Sequence, residues 1–149
     1  MITSRTDTML LTLLLSSTLC ACGAVPGGPN RHPVDGMTAP GVVLLVRTPR
    51  HIAMALKTGG SLRSGPDVKV PVVEIIVCDK AVTALPGDQQ LAASIAAARE
   101  HGIRTRACGL SLERFGVAGA TLPASIDVVP NGIVETLRLQ SLGFLSVEL

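Results

Sequence analysis

Aromatic residues are nearly absent from this chain of 149 residues, which has no tryptophan, no tyrosine and two phenylalanines. Surfaces that stack on bases or sugars are built from aromatic rings, so the composition argues against such a surface. The formal net charge is only +2, and no basic stripe runs along the sequence. Nucleic acid is therefore not an expected partner.

The motifs of several well-known sites are also missing. No glycine-rich phosphate loop follows a predicted strand, and no serine lies in a nucleophile elbow. The histidines are isolated, and no cysteine or histidine pair has the spacing of metal ligands. The carboxylates Glu113, Glu135 and Glu148 are scattered, and we expect them to be solvated. The sequence predicts neither a cofactor nor a metal site.

The N-terminal segment has the features of an export signal. An apolar run at residues 9–15 follows a short polar start and is well short of the ~20 residues that a membrane-spanning helix needs. The sequence LCACG at residues 19–23 then resembles a bacterial lipobox, with Cys22 as the lipidated residue. We therefore expect residues 1–22 to be a signal peptide, and the mature protein to be a membrane-tethered lipoprotein in the periplasm.

An ordinary secretory signal, cut near Ala21 or Ala24, is the alternative, and it gives a soluble periplasmic or secreted protein. In either case residues 23–40 are rich in glycine and proline and lack an apolar period, so they are expected to form a tether. The remaining chain, residues 41–149, has about 110 residues, enough for one hydrophobic core.

Segments typical of strands and of helices alternate along residues 41–149. Five strands are predicted, at residues 41–46, 72–77, 103–107, 126–129 and 144–147. Four helices are predicted: from His51 to about Gly59 and Gly60, from an Asp88 cap to Gly102, over residues 111–115, and from an Asn131 cap to Gly143. This alternation predicts an α/β domain with a mainly parallel five-stranded sheet and helices on both faces. The third strand is less apolar and is expected nearer a sheet edge.

Two cysteines follow predicted strands, Cys78 after the second and Cys108 after the third. Reactive groups gather at the carboxyl ends of parallel strands. Cys108 is the stronger candidate because it precedes a helix, whose free N–H groups favour a thiolate. We expect Arg106 and Arg114 to add positive potential there if their side chains point toward the cysteine. The alternative is that cysteine serves only as a small buried apolar residue.

A disulfide between Cys78 and Cys108 depends on the strand order. If the second and third strands are neighbours, about 4.8 Å apart, their ends can bring the two cysteines into bonding range. An exported domain permits such a bond. If the first strand lies between them, the bond is excluded.

The residues around Cys108 and at the C-terminus resemble the DsrE/DsrF-like family of small sulfur-metabolism proteins. One matching segment is EHGIRTRACGLSLERFGV at residues 100–117, and the other is IDVVPNGIVETLRLQSLGFLSVEL at residues 126–149. The resemblance covers residues 41–149. It implies a three-layer α/β/α sandwich, homo-oligomers, and a role for Cys108 in accepting a persulfide sulfur and handing it on.

Two functions follow as expectations, and whether the chain is an enzyme stays open. The first is an exported, lipid-anchored protein that binds or transfers sulfane sulfur through Cys108, with Cys78 as a possible second thiol and a sulfur donor or acceptor protein as partner. The second is a non-catalytic, oligomeric binding or assembly module with structural cysteines. Relay members of the family are cytoplasmic, so an exported chain does not inherit their partners.

Overall fold

The structure is a computed structural model that describes residues 39–66 and 68–149. The predicted signal peptide, Cys22 and all but the end of the predicted tether lie outside the described residues. Within the described part, five strands alternate with four α-helices. No helix there is both long enough and apolar enough to cross a membrane.

The strands form a single parallel sheet in the order β4-β3-β2-β1-β5. They are β1 (Val42–Val46), β2 (Val73–Val77), β3 (Ile103–Cys108), β4 (Ile126–Val129) and β5 (Leu145–Glu148). The helices are α1 (His51–Ser64), α2 (Gln89–Glu100), α3 (Gly109–Arg114) and α4 (Gly132–Ser141), and Asp79–Ala84 and Gly119–Thr121 are 3₁₀ turns. The predicted α/β/α architecture is confirmed.

Local signals in the sequence explain where two of the helices begin and end. The Asp88 carboxylate accepts a hydrogen bond from an amide of the first turn of α2, and the Asn131 side chain accepts two from the first turn of α4. Gly102 and Gly143 follow the ends of these helices with φ of +76° and +89°, a conformation that favours glycine. Both predicted caps are confirmed.

Helix α1 is longer than predicted, because it continues through Gly59 and Gly60 to Ser64. Gly59 is buried against the sheet, and a Cβ atom there would lie 3.3 Å from a methyl group of Ile103. Glycine at this position therefore allows close packing of α1 on the sheet rather than ending the helix.

Strand β3 is next to the edge strand β4, so it lies nearer an edge than the central strand β2, as predicted. Its low apolar content also has a local cause. Arg104 and Arg106 alternate with buried residues, and both contact the carboxylate of Glu74 on the neighbouring strand. The charged residues of β3 are therefore paired across the sheet.

The sheet has two unlike faces. Helices α1 and α2 cover one of them, hereafter the α1/α2 face, and Ile52, Ala55 and Ile95 of these helices belong to its large apolar cluster. Helix α4 covers the other, hereafter the α4 face, and packs against β1, β2, β3 and β5. The smaller cluster on the α4 face consists of Val43, Leu45, Ile76, Cys78, Cys108 and Leu139, with Phe144 packed against it.

Candidate functional site: a buried thiol pair

The two cysteines predicted as site residues, Cys78 and Cys108, lie side by side at the carboxyl end of the sheet. Strands β2 and β3 are neighbours, and Val77 pairs with Ala107, so the next residues, Cys78 and Cys108, follow at the same level. Both belong to the cluster on the α4 face, and both are 4% exposed. The strand order is thus the one that permits a disulfide, and both residues are free thiols in the structure.

Gly132, the first residue of α4, packs directly on the thiol pair. Its amide donates a hydrogen bond to Cys108 Sγ at 3.2 Å. A Cβ atom at position 132 would collide with Cys78 Sγ and lie 3.1 Å from Cys108 Cβ. Sequence reasoning identified Asn131 as the cap but missed Gly132. The available signal was a glycine one residue after a cap, where a helix start does not itself require glycine.

Hydrogen bonds lower the pKa of Cys108. Burial acts to raise this pKa, but it is outweighed by hydrogen bonds from the Ser111 hydroxyl, the amides of Gly132 and Ser111, and the Cys78 thiol. Ser111 Oγ also accepts a hydrogen bond from the Asp79 amide at 2.8 Å. With that contact made, the hydroxyl proton is free to donate to Cys108. The surroundings therefore favour the thiolate form of Cys108.

The pKa of Cys78 shifts in the opposite direction, to about 12. Burial is the main cause, and the neighbouring Cys108 raises it further by charge repulsion and by accepting a hydrogen bond. Arg47 acts against these effects but does not overcome them. At neutral pH Cys78 is thus a protonated thiol that donates to the Cys108 sulfur.

A cleft of about 340 Å³ opens beside the two thiols. Arg47, Asp79, Leu110 and Arg114 line it together with the cysteines. Arg47 forms an ion pair with Asp79 at 3.2 Å, whereas Arg114 lies 4.0 Å from the same carboxylate and is 75% exposed. Arg114 lines the cleft together with Cys108, and Arg47 is an addition from the structure. Because Arg47 is also paired with Glu148 at 3.3 Å, Arg114 is the cation that the cleft leaves more open to a small anionic reactant.

A larger cleft of about 870 Å³ lies beside α1, α2 and the start of β3, away from the cysteines. Arg63, which lines it, donates to the backbone carbonyls of His101 and Val70, so its guanidinium is engaged in holding loops. Reactive groups of parallel sheets lie at the opposite, carboxyl ends of the strands. We therefore regard the smaller cleft as the candidate site.

Arg106 does not add positive potential at Cys108 as predicted, because carboxylates occupy its guanidinium. It donates to Glu74 at 3.3 Å and contacts Glu135 Oε1 at 2.5 Å. The expectation that Glu135 is solvated is wrong, since its side chain is 13% exposed and also binds Arg138. This set, Glu74, Arg106, Glu135 and Arg138, is hereafter the ionic cluster.

Glu74 is the most buried member of the ionic cluster, with a side chain that is 2% exposed. Burial raises its pKa, and the nearby arginines Arg106 and Arg104 oppose that effect. Sequence reasoning missed this residue. The signal was a glutamate within the apolar strand VVEIIV, where an ionised side chain needs a buried partner.

Within residues 39–66 and 68–149, no group of three or more histidine, cysteine, aspartate or glutamate side chains is placed to hold a metal ion. The groups that converge on Cys108 Sγ are the Cys78 thiol, the amides of Gly132 and Ser111, and the Ser111 hydroxyl, all of which act to lower its pKa. Such a set can hold a negatively charged sulfur species by hydrogen bonding.

The three-layer α/β/α arrangement is shared with solved structures that have a DsrE-like fold. Among solved structures, the chain is similar to the protein MTH1491 from Methanobacterium thermoautotrophicum, with 21% identity and a TM-score of 0.65. That match covers 73% of this chain and 98% of the other. The protein is described as one of unknown function.

Two further solved structures are similar to this chain over most of their own length. BT1422 from Bacteroides thetaiotaomicron, also of unknown function, has 22% identity and a TM-score of 0.55, covering 74% of this chain and 95% of that one. YchN from E. coli has 15% identity and a TM-score of 0.53, covering 72% and 97%. No protein family model and no curated protein matches the chain. At these identities the likeness shows the fold.

Proposed function

We propose that this protein binds sulfane sulfur as a persulfide on Cys108 and passes it to an acceptor. The observation that carries the proposal is the set of hydrogen-bond donors around one thiol beside a cleft. Gly132 donates to Cys108 Sγ at 3.2 Å, and the Ser111 hydroxyl and amide also act to lower the pKa of Cys108. These donors favour the anionic form, which is the form that attacks a sulfur donor.

The reaction is a thiol exchange. The Cys108 thiolate attacks the outer sulfur of a donor persulfide, a bond forms between the two sulfur atoms, and the donor leaves as its own thiolate. An acceptor thiolate reverses the step by attacking the outer sulfur held on Cys108. The donors that stabilise the thiolate also stabilise the bound persulfide anion, and the exposed Arg114 favours anionic reactants in the cleft.

Mass spectrometry of the full chain tests this proposal. Cys20 and Cys22 are first replaced by serine, so that the only thiols are those of the domain. Anaerobic treatment with a small-molecule persulfide should add one sulfur atom to Cys108 in the Cys78→Ser variant. The matched Cys108→Ser variant should gain none. An equal gain in both variants, or none in either, contradicts the proposal.

Export and lipid attachment at Cys22 belong to the same proposal, because they decide which compartment supplies the sulfur donor and acceptor. The support is the lipobox-like LCACG sequence, followed by residues rich in glycine and proline. Metabolic labelling with a fatty acid in a bacterial host should mark the wild type and Cys20→Ala, but not Cys22→Ala. Release of an unlabelled, shortened wild-type chain would instead support the ordinary secretory signal.

A second candidate function, an oligomeric binding or assembly module, has support from the outer side of α4. Ile133, Val134 and Leu137 are 49%, 59% and 58% exposed there, and Leu145 and Val147 are exposed on the edge strand β5. We propose a second copy of this chain as the occupant. The net charge of +2 is too small to repel a second copy strongly, and the resemblance to the DsrE/DsrF-like family implies homo-oligomers.

Light scattering at micromolar concentration tests the assembly. The wild type should be an oligomer and Leu137→Glu a monomer, because burying a glutamate in an apolar interface is costly. Met54→Glu on α1 is the matched control, since Met54 is an exposed apolar residue of a different helix. A monomeric wild type contradicts the proposal. A module with purely structural cysteines would oligomerise and still fail the sulfur test above.

A further inference from the structure

The position of Cys78 relative to Cys108 bears on what happens to a sulfur atom once it is bound. The two cysteines follow paired residues of the neighbouring strands β2 and β3, belong to one packed cluster, and both lie against Gly132, so the Cys78 thiol is beside Cys108 Sγ. When Cys108 carries a persulfide, that same Sγ atom is the inner sulfur of the S–S bond. Cys78 is therefore in contact with the inner sulfur, whereas an acceptor that takes the sulfur onward must reach the outer one.

We propose that Cys78 attacks the inner sulfur of the Cys108 persulfide, which forms a Cys78–Cys108 disulfide and releases hydrosulfide. This inference rests on the proposed persulfide at Cys108. It gives the site a second activity, the reduction of sulfane sulfur to sulfide, in competition with transfer to an acceptor.

The atoms and electrons of the step balance within the site. The proton of the Cys78 thiol moves to the terminal sulfur of the persulfide anion. The Cys78 sulfur then bonds to Cys108 Sγ, the bond between Sγ and the terminal sulfur breaks, and HS⁻ leaves. The departing sulfur gains two electrons, and the two cysteine sulfurs together lose two. A dithiol reductant is the co-reactant that restores both thiols before the next turnover.

Packing on the α4 face brings the attacking atom close to its target. The ends of β2 and β3 set the two cysteines at the same level, and Gly132 leaves no room between α4 and the pair. Both thiols are nearly inaccessible to solvent, so an external thiol has less access to the inner sulfur than Cys78 has. The cleft with Arg47 and Arg114 lies beside the pair and gives the anion a route out.

The low acidity of Cys78 fits its place in the sequence of events. As a protonated thiol it does not compete with Cys108 for the donor, and it becomes a nucleophile only when a basic acceptor for its proton is next to it. The terminal sulfur becomes such an acceptor as the S–S bond breaks, because it departs as sulfide and takes up the Cys78 proton to give HS⁻. The two cysteines therefore have different roles, one loading sulfur and the other releasing it.

The experiment follows one equivalent of a small-molecule persulfide added anaerobically to the full chain with Cys20 and Cys22 replaced by serine. Released sulfide is measured with a colorimetric reagent, and intact mass is measured without reductant. The chain with both Cys78 and Cys108 should release about one equivalent of sulfide and lose the mass of two hydrogen atoms. Its Cys78→Ser variant should keep the added sulfur and release at least tenfold less sulfide.

Two other outcomes separate the inference from the proposal on which it rests. If Cys78→Ser gains sulfur at Cys108 and the parent chain retains it equally long, the inference is wrong and sulfur binding stands. If Cys78→Ser has the circular dichroism of the parent but gains no sulfur, both are wrong. A Cys78→Ala variant provides a second comparison in case serine perturbs the buried site. Adding a dithiol to the oxidised parent chain should restore a second round of release.

Discussion

The two faces of the sheet use the same strands for different purposes. On the α1/α2 face, seventeen buried residues form one apolar cluster, and two long helices cover it. On the α4 face, a single helix covers six clustered residues, two of which are cysteines, and the ionic cluster lies on the same face. Because residues alternate along each strand, β1, β2 and β3 each contribute to both environments.

The difference separates stability from chemistry. Burial of the large cluster on the α1/α2 face supplies most of the favourable free energy of folding. Its buried members are all valine, leucine, isoleucine or alanine, which carry no reactive group. On the α4 face, hydrogen bonds, ion pairs and the close contact at Gly132 hold the helix against the sheet. The stability of this packing therefore depends on specific polar partners. Mutations on the α4 face should therefore remove hydrogen-bond or ion-pair partners and change the reactivity of Cys108. Mutations on the α1/α2 face should change stability through apolar packing.

The largest effect is expected from Arg106→Met. It leaves the Glu74 carboxylate buried with only the exposed Arg104 nearby, which should lower the free energy of unfolding by about 3 kcal/mol. The double variant Glu74→Leu with Arg106→Met should recover most of the loss. Arg99→Met, from an exposed pair with Asp127, is the control and should cost less than about 1 kcal/mol. Urea denaturation measures all three, and equal losses for Arg106 and Arg99 would contradict the burial argument.

Gly132→Ala should have the next largest effect, about 2 kcal/mol of destabilisation, because the added methyl group collides with Cys78 and crowds Cys108. It should also slow alkylation or sulfur loading at Cys108, since the hydrogen bond from the amide is displaced. Gly60→Ala on α1 is the matched control. Nothing lies within 4 Å of a Cβ atom there, so it should stabilise the protein by up to about 1 kcal/mol. Thermal denaturation that shifted both variants in the same direction would refute this assignment.

The pH dependence of alkylation should separate the two thiols. Because the pKa of Cys108 is lowered, its thiolate fraction persists to lower pH, and its reaction with iodoacetamide should have a midpoint below that of an ordinary cysteine thiol. Ser111→Ala removes one donor and should raise that midpoint by about one pH unit. Cys78 should stay unmodified near neutral pH in the folded protein, since its pKa is raised to about 12. Peptide mapping after alkylation at several pH values measures both, and faster modification of Cys78 would reverse the assigned roles.

The smallest effect is expected on the α1/α2 face, from Thr105→Val. The Thr105 side chain is buried, and its hydroxyl has no hydrogen-bond partner among the described residues. Replacing the hydroxyl with a methyl group should stabilise the protein by about 1 kcal/mol, with no change in Cys108 alkylation. A loss of stability on calorimetry would indicate that the hydroxyl has a partner such as an internal water.

The strands and caps could be predicted from the sequence because their signals are local. The runs around Val43 and Ile76 are apolar on both faces, as central parallel strands are, and Asp88 and Asn131 are followed at once by helical periodicity. The placement of both cysteines at one end of the sheet also followed, since parallel strands end at the same edge.

Features that depend on tertiary contacts could not be predicted from local patterns in the sequence. The length of α1 depends on how closely Gly59 approaches the sheet, and the direction of Arg106 depends on Glu74, thirty-two positions away. The role of Gly132 requires knowing which side chains α4 contacts. Resemblance to the DsrE/DsrF-like family identified Cys108 but carried no role for Cys78, whose contact with Cys108 depends on the strand order.

Because position 132 must be glycine when Cys78 lies beneath it, the residue at this position provides a criterion for classifying chains of this fold from sequence alone. Any larger residue at the start of α4 would displace the sulfur of Cys78, so a chain with both cysteines and this backbone must have glycine there. A relative that replaces Cys78 with alanine or serine is relieved of that steric demand. The three positions together therefore predict which DsrE-like chains hold two sulfur atoms in contact and which hold only one.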